Sequence, residues 1–164
     1  MKPKIVIIGL PGHGKDTVAN LISQLGDFAF SSTSMQLVEK VICPAIKDKY
    51  NYTSFEECYA ARDNHRVEWA YLLSKYNSRN PTRFAEEVLL NYDIYCGLRC
   101  KRTLDALYEK DLIAYSIFVD ALIRKGRTSD AIDIDISDCD YIIDNNLDER
   151  ALVTNVRYIL NRIL

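Results

Sequence analysis

Short uninterrupted apolar runs alternate along this chain with stretches where apolar residues recur every three or four positions, a pattern that predicts strands and helices in turn. Residues 4–10 form the first apolar run and read as a strand. Residues 15–25 place Val18, Leu21, Ile22 and Leu25 on one helical face, and Gly26 stops them. A short apolar segment over 27–31 predicts a second strand. Ser34 is the expected N-cap of a helix to about residue 42, halted near Pro44. Residues 50–59 have little periodicity and read as a loop with a helical turn. Residues 60–76 are helical in pattern, with Arg62, Arg66, Trp69, Leu73 and Tyr76 along one face. Asn80-Pro81 is an N-cap and N1 pair for a helix carrying Phe84, Val88 and Leu89. Beyond it lie a strand over 92–96, a helix over 101–110 and a strand over 112–119. A basic segment follows over 122–130, then a last strand over 141–144. Asn146-x-x-Glu149 resembles a capping box opening a final helix with Leu152, Val156, Ile159, Leu160 and Ile163 inward.

Strands alternating with helices imply βαβ units, hence an α/β domain whose mainly parallel, five-stranded sheet is covered on both faces. Such sheets bind ligands at the carboxyl ends of their strands. The turns after residues 10, 96, 119 and 144 should therefore converge on one cleft. At 164 residues the whole chain, 1–164, is expected to be one domain. A net charge of −2 argues against a surface that coats nucleic acid. No apolar run reaches membrane-spanning length, and the first three residues lead straight into a strand, so neither a span nor a signal peptide is expected. The five cysteines are odd in number and lack C-x-x-C spacing, which reads as free thiols in the cytoplasm.

The turn after the first strand carries the clearest chemistry. Gly9, Gly14 and Lys15 stand at the spacing of G-x-x-x-x-G-K-[ST], with Pro11, Gly12 and His13 inside the turn. Glycines let successive backbone N–H groups curl around an anion, and the helix start adds its positive end. Lys15 adds a mobile charge that reaches outer phosphates. Asp16 stands where Ser or Thr usually holds magnesium, followed by Thr17; a carboxylate also serves Mg²⁺. The plainer alternative is a glycine turn of some other α/β domain. A strand directly before the motif and an amphipathic helix directly after it favour phosphate binding.

Arginines are the natural binders of a second phosphate. Arg99 follows the third strand beside Gly97, and its alternative is a surface ion pair. Arg62 and Arg66, one helical turn apart with Trp69 beyond, alternatively form a solvated face beside a core Trp. Arg124 and Arg127 flank Gly126, in a closing lid or else a plain exposed loop. Asn145 follows the last strand at the same sheet end. His13 reads as tolerated in its turn rather than used as a base, His65 as structural, and Arg79 and Arg83 as surface residues. The acidic run Asp130, Asp133, Asp135, Asp138, Asp140 and Asp144 lacks a calcium loop's glycine and terminal glutamate, so it reads as a solvated face. The alternation Ile132, Ile134, Ile136 fits an edge strand or a packed loop.

Four stretches together resemble the phage-type deoxynucleoside monophosphate kinases, a branch of the P-loop nucleotide kinases. They are Gly14-Lys15-Asp16-Thr17; Arg62-Asp-Asn-His-Arg66-x-x-Trp69 with Lys75-Tyr76-Asn77; Tyr95-Cys-Gly-Leu-Arg99; and Ser137-Asp-Cys-Asp-Tyr-Ile-Ile-Asp-Asn-Asn146. The Gly-Lys-Asp-Thr variant is the more specific sign and is shared with some phosphomevalonate kinases. The resemblance implies a three-layer α/β/α P-loop kinase fold with a helical acceptor region over about 50–90 and a short lid over about 121–131. It implies phosphoryl transfer from ATP to a deoxynucleoside monophosphate with Mg²⁺. Lys15, Asp16 and Thr17 would hold ATP and metal, Arg62, Arg66, Trp69 and Arg99 the acceptor, and Arg124 and Arg127 the lid. Tyr95 and Cys96 depart from the plainer apolar residues of the pattern. The expected partners are nucleotides in the host cytoplasm, with no membrane; DNA is not expected but stays open, as does a homodimer. Two other readings use the same loop: a phage kinase acting on a modified pyrimidine in DNA, and an ATP-binding module without catalysis.

Overall fold

The computed structural model describes residues 2–127 and 132–164, and residues 128–131, which include Asp130 and the end of the expected lid, lie outside them. Strand β1 (Ile5–Ile8) is buried at all four positions, as a central strand covered on both faces must be. It pairs in parallel with β2 (Ile94–Leu98) on one side and β3 (Tyr115–Asp120) on the other. Strand β4 (Tyr141–Asp144) adds to β3, so the order is β2-β1-β3-β4. All pairings are parallel, as the alternation of strand and helix requires.

Among the described residues the sheet has four strands where the pattern predicts five. The segment over 27–31 reaches the outer edge of β2 but forms no ladder with it. One backbone bond joins them, Asp93 N–H to the Ala29 carbonyl at 2.7 Å. The Asp93 carboxylate takes the return bond from Ala29 N–H at 2.8 Å, and Thr33 Oγ1 accepts from Cys96 N–H at 3.0 Å. Side chains thus saturate the groups a fifth strand would have used.

Alternation divides the core in two. Ile5, Ile7, Ile94, Cys96, Ile117 and Ile143 face helices α1 (Lys15–Gly26) and α9 (Glu149–Ile163). Val6, Ile8, Tyr95, Leu98 and Phe118 face the opposite layer. That layer begins with α2 (Thr33–Leu37), capped by Ser32 rather than Ser34. It runs through a π turn (Val38–Ile42) into α3 (Cys43–Tyr50), past the stop expected at Pro44. Cys43 N–H bonds the Val38 carbonyl, five residues back, and Pro44 falls in the first turn of α3, where a missing N–H is tolerated. Helix α4 (Phe55–Ala60) and a 3-10 turn (Arg62–Asn64) follow. The helix expected over 60–76 breaks at His65 and resumes as α5 (Arg66–Tyr76). Helices α6 (Arg83–Asn91) and α7 (Lys101–Glu109) complete the layer.

After β3 comes one turn of helix, α8 (Leu122–Lys125). Ile132 and Ile134 pack against the second cluster as a loop, not an edge strand. The final helix is capped by Asp148, which accepts from Ala151 N–H at 2.8 Å, not by Asn146. No helix among the described residues is long and apolar enough to cross a membrane.

Candidate anion-binding site at the strand ends

Bare backbone is what the turn after β1 needs. A Cβ on Gly9 would stand 2.6 Å from the Val119 carbonyl, so only glycine lets β1 leave the sheet this close to β3. Gly12 and Gly14 have φ of 77° and 91°, the left-handed region where side chains are strained. A Cβ on Gly14 would overlap the amide nitrogen of Asn145, which donates to the His13 carbonyl at 2.9 Å. Helix α1 opens directly behind this turn, so its free N–H groups and its dipole point toward the glycines. Lys15 folds back over the loop, donating to the Leu10 carbonyl at 2.9 Å. Burial above all, with repulsion from Arg99, holds its ammonium below the ordinary lysine value.

Arg99 lies near this lysine, and Arg66 and Arg62 lie near Arg99. Arg99 follows β2, which carries a bulge: Ile7 pairs with Cys96, Ile8 with Leu98, and Gly97 is the extra residue at φ 95°. The side chain Gly97 lacks leaves a gap in which Lys15 Cε is the nearest neighbour, at 3.9 Å. Partial burial, then Arg66 and Arg62, hold Arg99 below its ordinary value, and among the described residues no carboxylate pairs with it. Arg66 opens α5 and donates from Nε and Nη2 to one oxygen of Asp63, at 3.1 and 2.7 Å. Arg62, on the preceding 3-10 turn, donates to Tyr59 Oη at 2.6 Å and lies over its ring. The helix break at His65 therefore separates two arginines that the pattern put on one helix, yet both act on Arg99.

The other expected residues take distinct places. Asp16 is exposed in the first turn of α1, and the Cys96 thiol lies 3.6 Å from its Oδ1; Thr17 is exposed beside it. Pro11 is half-buried in the turn. Asn145 is buried and holds two neighbours, the His13 carbonyl through its amide and the Asp120 carbonyl through its N–H. Arg124 is tied by Nε to the Asn145 carbonyl at 3.0 Å, and Arg127 is exposed one residue past Gly126. Trp69 sits half-buried between two apolar clusters, with a buried indole N–H that has no partner among the described residues. Arg83 lies over the Tyr76 ring and pairs with Glu87, and His65 stacks on Tyr50, both structural placements.

Two residues carry more than the sequence signalled. His13 is completely buried with both ring nitrogens bonded. Asn146 accepts from the N–H groups of Ile123 and Arg124, fastening the start of α8 to the end of β4. Neither position has a spacing rule; an Asn-Asn pair after a strand is the one available hint. A surface cavity of about 500 Å³, lined by Leu25, Arg157, Leu160, Asn161 and Leu164, lies at the opposite end of α1 and shares no residue with the loop.

Among the described residues no group of three or more His, Cys, Asp or Glu side chains is arranged to hold a metal. A magnesium ion carried on substrate phosphates asks less of a protein, one or two carboxylates with water and phosphate completing its shell. Asp16 meets that demand. No protein-family model matches the chain, and no curated protein matches it significantly.

Proposed function

We propose that this chain is a P-loop kinase of the deoxynucleoside monophosphate type, moving the γ-phosphoryl group of ATP to a deoxynucleoside monophosphate to give the diphosphate. The observation that carries the reading is the glycine turn with Lys15 beside it and Arg99 near both Lys15 and the Arg62–Arg66 pair. Asp63 pairs with Arg66 and lies near Arg62, while no carboxylate among the described residues pairs with Arg99. A partly buried guanidinium without a carboxylate beside other cations costs free energy that an entering anion would relieve. Arg99 stands between the lysine of the glycine turn and an arginine pair in this set of neighbours, which suits two phosphates brought together.

In this reading the backbone N–H groups of the turn over 9–14, with Asn145 supporting the turn, cradle the ATP phosphates. Lys15 exchanges the Leu10 carbonyl for an outer phosphate oxygen. Arg62, Arg66 and Arg99 grip the acceptor phosphate, beside Trp69. Arg124 and Arg127 close from the far side and neutralise charge spreading over the transferred group. Asp16, with Thr17, would hold magnesium, which supplies charge neutralisation on the phosphate oxygens. No nucleophilic side chain is required, because positioning and electrostatics suffice for this transfer. The partners are nucleotides in the cytoplasm, not DNA or membrane.

A coupled ADP-release assay across the deoxynucleoside monophosphates tests this. At least one monophosphate should stimulate ATP turnover, and Lys15→Ala should reduce that turnover by about two to three orders of magnitude. ATP binding without stimulation by any monophosphate would instead favour a non-catalytic module, and transfer only to duplex DNA a base-modifying kinase.

A further inference from the structure

The side chain of His13 leaves the glycine loop. Its ring enters the gap between the turn and the β3–α8 connection, and it is 0 % exposed. Nδ1 lies 3.1 Å from Ala121 N, and a backbone N–H can only donate, so Nδ1 accepts. The ring hydrogen is then on Nε2, which donates to the Gly126 carbonyl at 2.9 Å. The imidazole thus clasps both ends of α8: Ala121 immediately before it and Gly126 immediately after it. Gly126 has φ 69° and ψ −176°, a conformation essentially reserved for glycine, and a Cβ there would meet nothing within 4 Å. Its backbone demands glycine for the angle alone, as a pivot does. Arg124 lies inside the clasped turn and Arg127 just beyond the pivot.

We propose that His13 is a positioning residue, a strap through which the state of the glycine loop sets the position of the segment carrying Arg124 and Arg127. This rests on the phosphate-binding reading of the loop and goes beyond it. His13 lies between Gly12 and Gly14, at φ 77° and 91°, so an anion drawing in the N–H groups of this turn moves the residue that holds Gly126. The His13 carbonyl is itself held by Asn145, whose own carbonyl holds Arg124. Loop, β4 end and α8 therefore form one hydrogen-bonded circuit. Within it the Nε2–Gly126 bond is the link that reaches past α8 to the pivot. An imidazole suits the task because one rigid ring presents an acceptor and a donor on opposite sides.

Two variants separate the bonds. His13→Asn keeps an oxygen near the Nδ1 position, for Ala121, and loses the donor to Gly126. His13→Gln carries its amide out toward the Nε2 position, keeps that donor and gives up the bond to Ala121. Hydrogen exchange of peptides covering 121–127 is read in the full chain with and without MgATP, together with kcat and KM for the monophosphate. In the wild type, MgATP should slow exchange in this segment. In His13→Asn the loop should still bind MgATP, the slowing should vanish, and kcat should fall roughly five- to tenfold, the worth of one neutral hydrogen bond. KM for the monophosphate should stay unchanged. His13→Gln should recover the slowing. If His13→Asn binds MgATP and shows the wild-type change in exchange, the strap is refuted and the kinase reading stands. If the wild type does not bind MgATP, both fail. A melting curve for each variant shows that it is folded, and loss of the slowing in both variants alike would mark a merely structural histidine and overturn the proposal.

Discussion

Gly14→Ala tests the geometry on which the loop's shape rests. Gly14 sits at φ 91° and ψ 25°, where a residue with a side chain carries about 1–2 kcal/mol of backbone strain. The added Cβ would overlap Nδ2 of Asn145, so the amide must swing away from the His13 carbonyl. Losing that buried bond adds about 1 kcal/mol, for about 2–3 kcal/mol in all. Asn145→Ala alone removes the same bond and leaves the carbonyl unpaired, at about 1–2 kcal/mol. In the double variant the bond is lost once, so the combined cost should fall below the sum by about 1 kcal/mol. Urea unfolding followed by Trp69, the single tryptophan, reads all four corners of the cycle. The single Gly14→Ala change should also lower Tm by roughly 4–12 °C. Additivity within about 0.5 kcal/mol would show that the glycine and the asparagine do not meet.

Arg99→Met removes a charge that its neighbours Arg66 and Arg62 oppose, so urea stability should hold or rise. Affinity for a monophosphate, read by calorimetry, should fall about 10- to 100-fold with one charge-assisted contact gone. A loss of stability with unchanged binding would make Arg99 a structural residue. Glu86 accepts from Thr82 Oγ1 at 2.5 Å and from Lys110 at 3.0 Å, and these bonds hold its carboxyl below the ordinary 4.5. Because the folded value is the lower one, the stabilisation is complete above about pH 4.5 and is lost as pH falls through the folded value. Glu86→Gln should therefore flatten the acid limb of the urea midpoint between pH 6 and about pH 3, and an unchanged limb would remove Glu86 from it. Cys58 is fully buried, and burial, then Cys43, push its thiol up to about 12. Iodoacetamide at pH 8 should modify exposed Cys100 in the native chain and leave Cys58 untouched until denaturant is added, as peptide mapping would show.

Much of this molecule was legible along the chain. Strand 141–144 matches β4, and the helices after Gly14 and Cys100 begin where their patterns do. These segments are short-range facts: an apolar run must be buried on both faces, and a 3.6-residue stripe must turn one face inward. The glycine turn was legible for the same reason, since its backbone angles exclude side chains locally. Residues 27–31 look like a strand by composition, but pairing is a property of the neighbour, and there Asp93 and Thr33 had already taken the bonds. The patterns at Pro44 and over 60–76 failed because the proline falls in the first turn of α3, directly after a π turn, where its missing N–H is tolerated, and because a break at His65 divided the helix.

Sequence alone determined which residues are charged and that a glycine turn joins the first strand to a helix. Tertiary structure decided the rest: that Arg99 lies near Arg62 and Arg66, on either side of a helix break, and that His13 turns inward to hold α8. Charge repulsion and hydrogen bonding act through space over a few ångströms. Residues more than 100 positions apart, such as His13 and Gly126, become neighbours only once the parallel sheet aligns the ends of its strands.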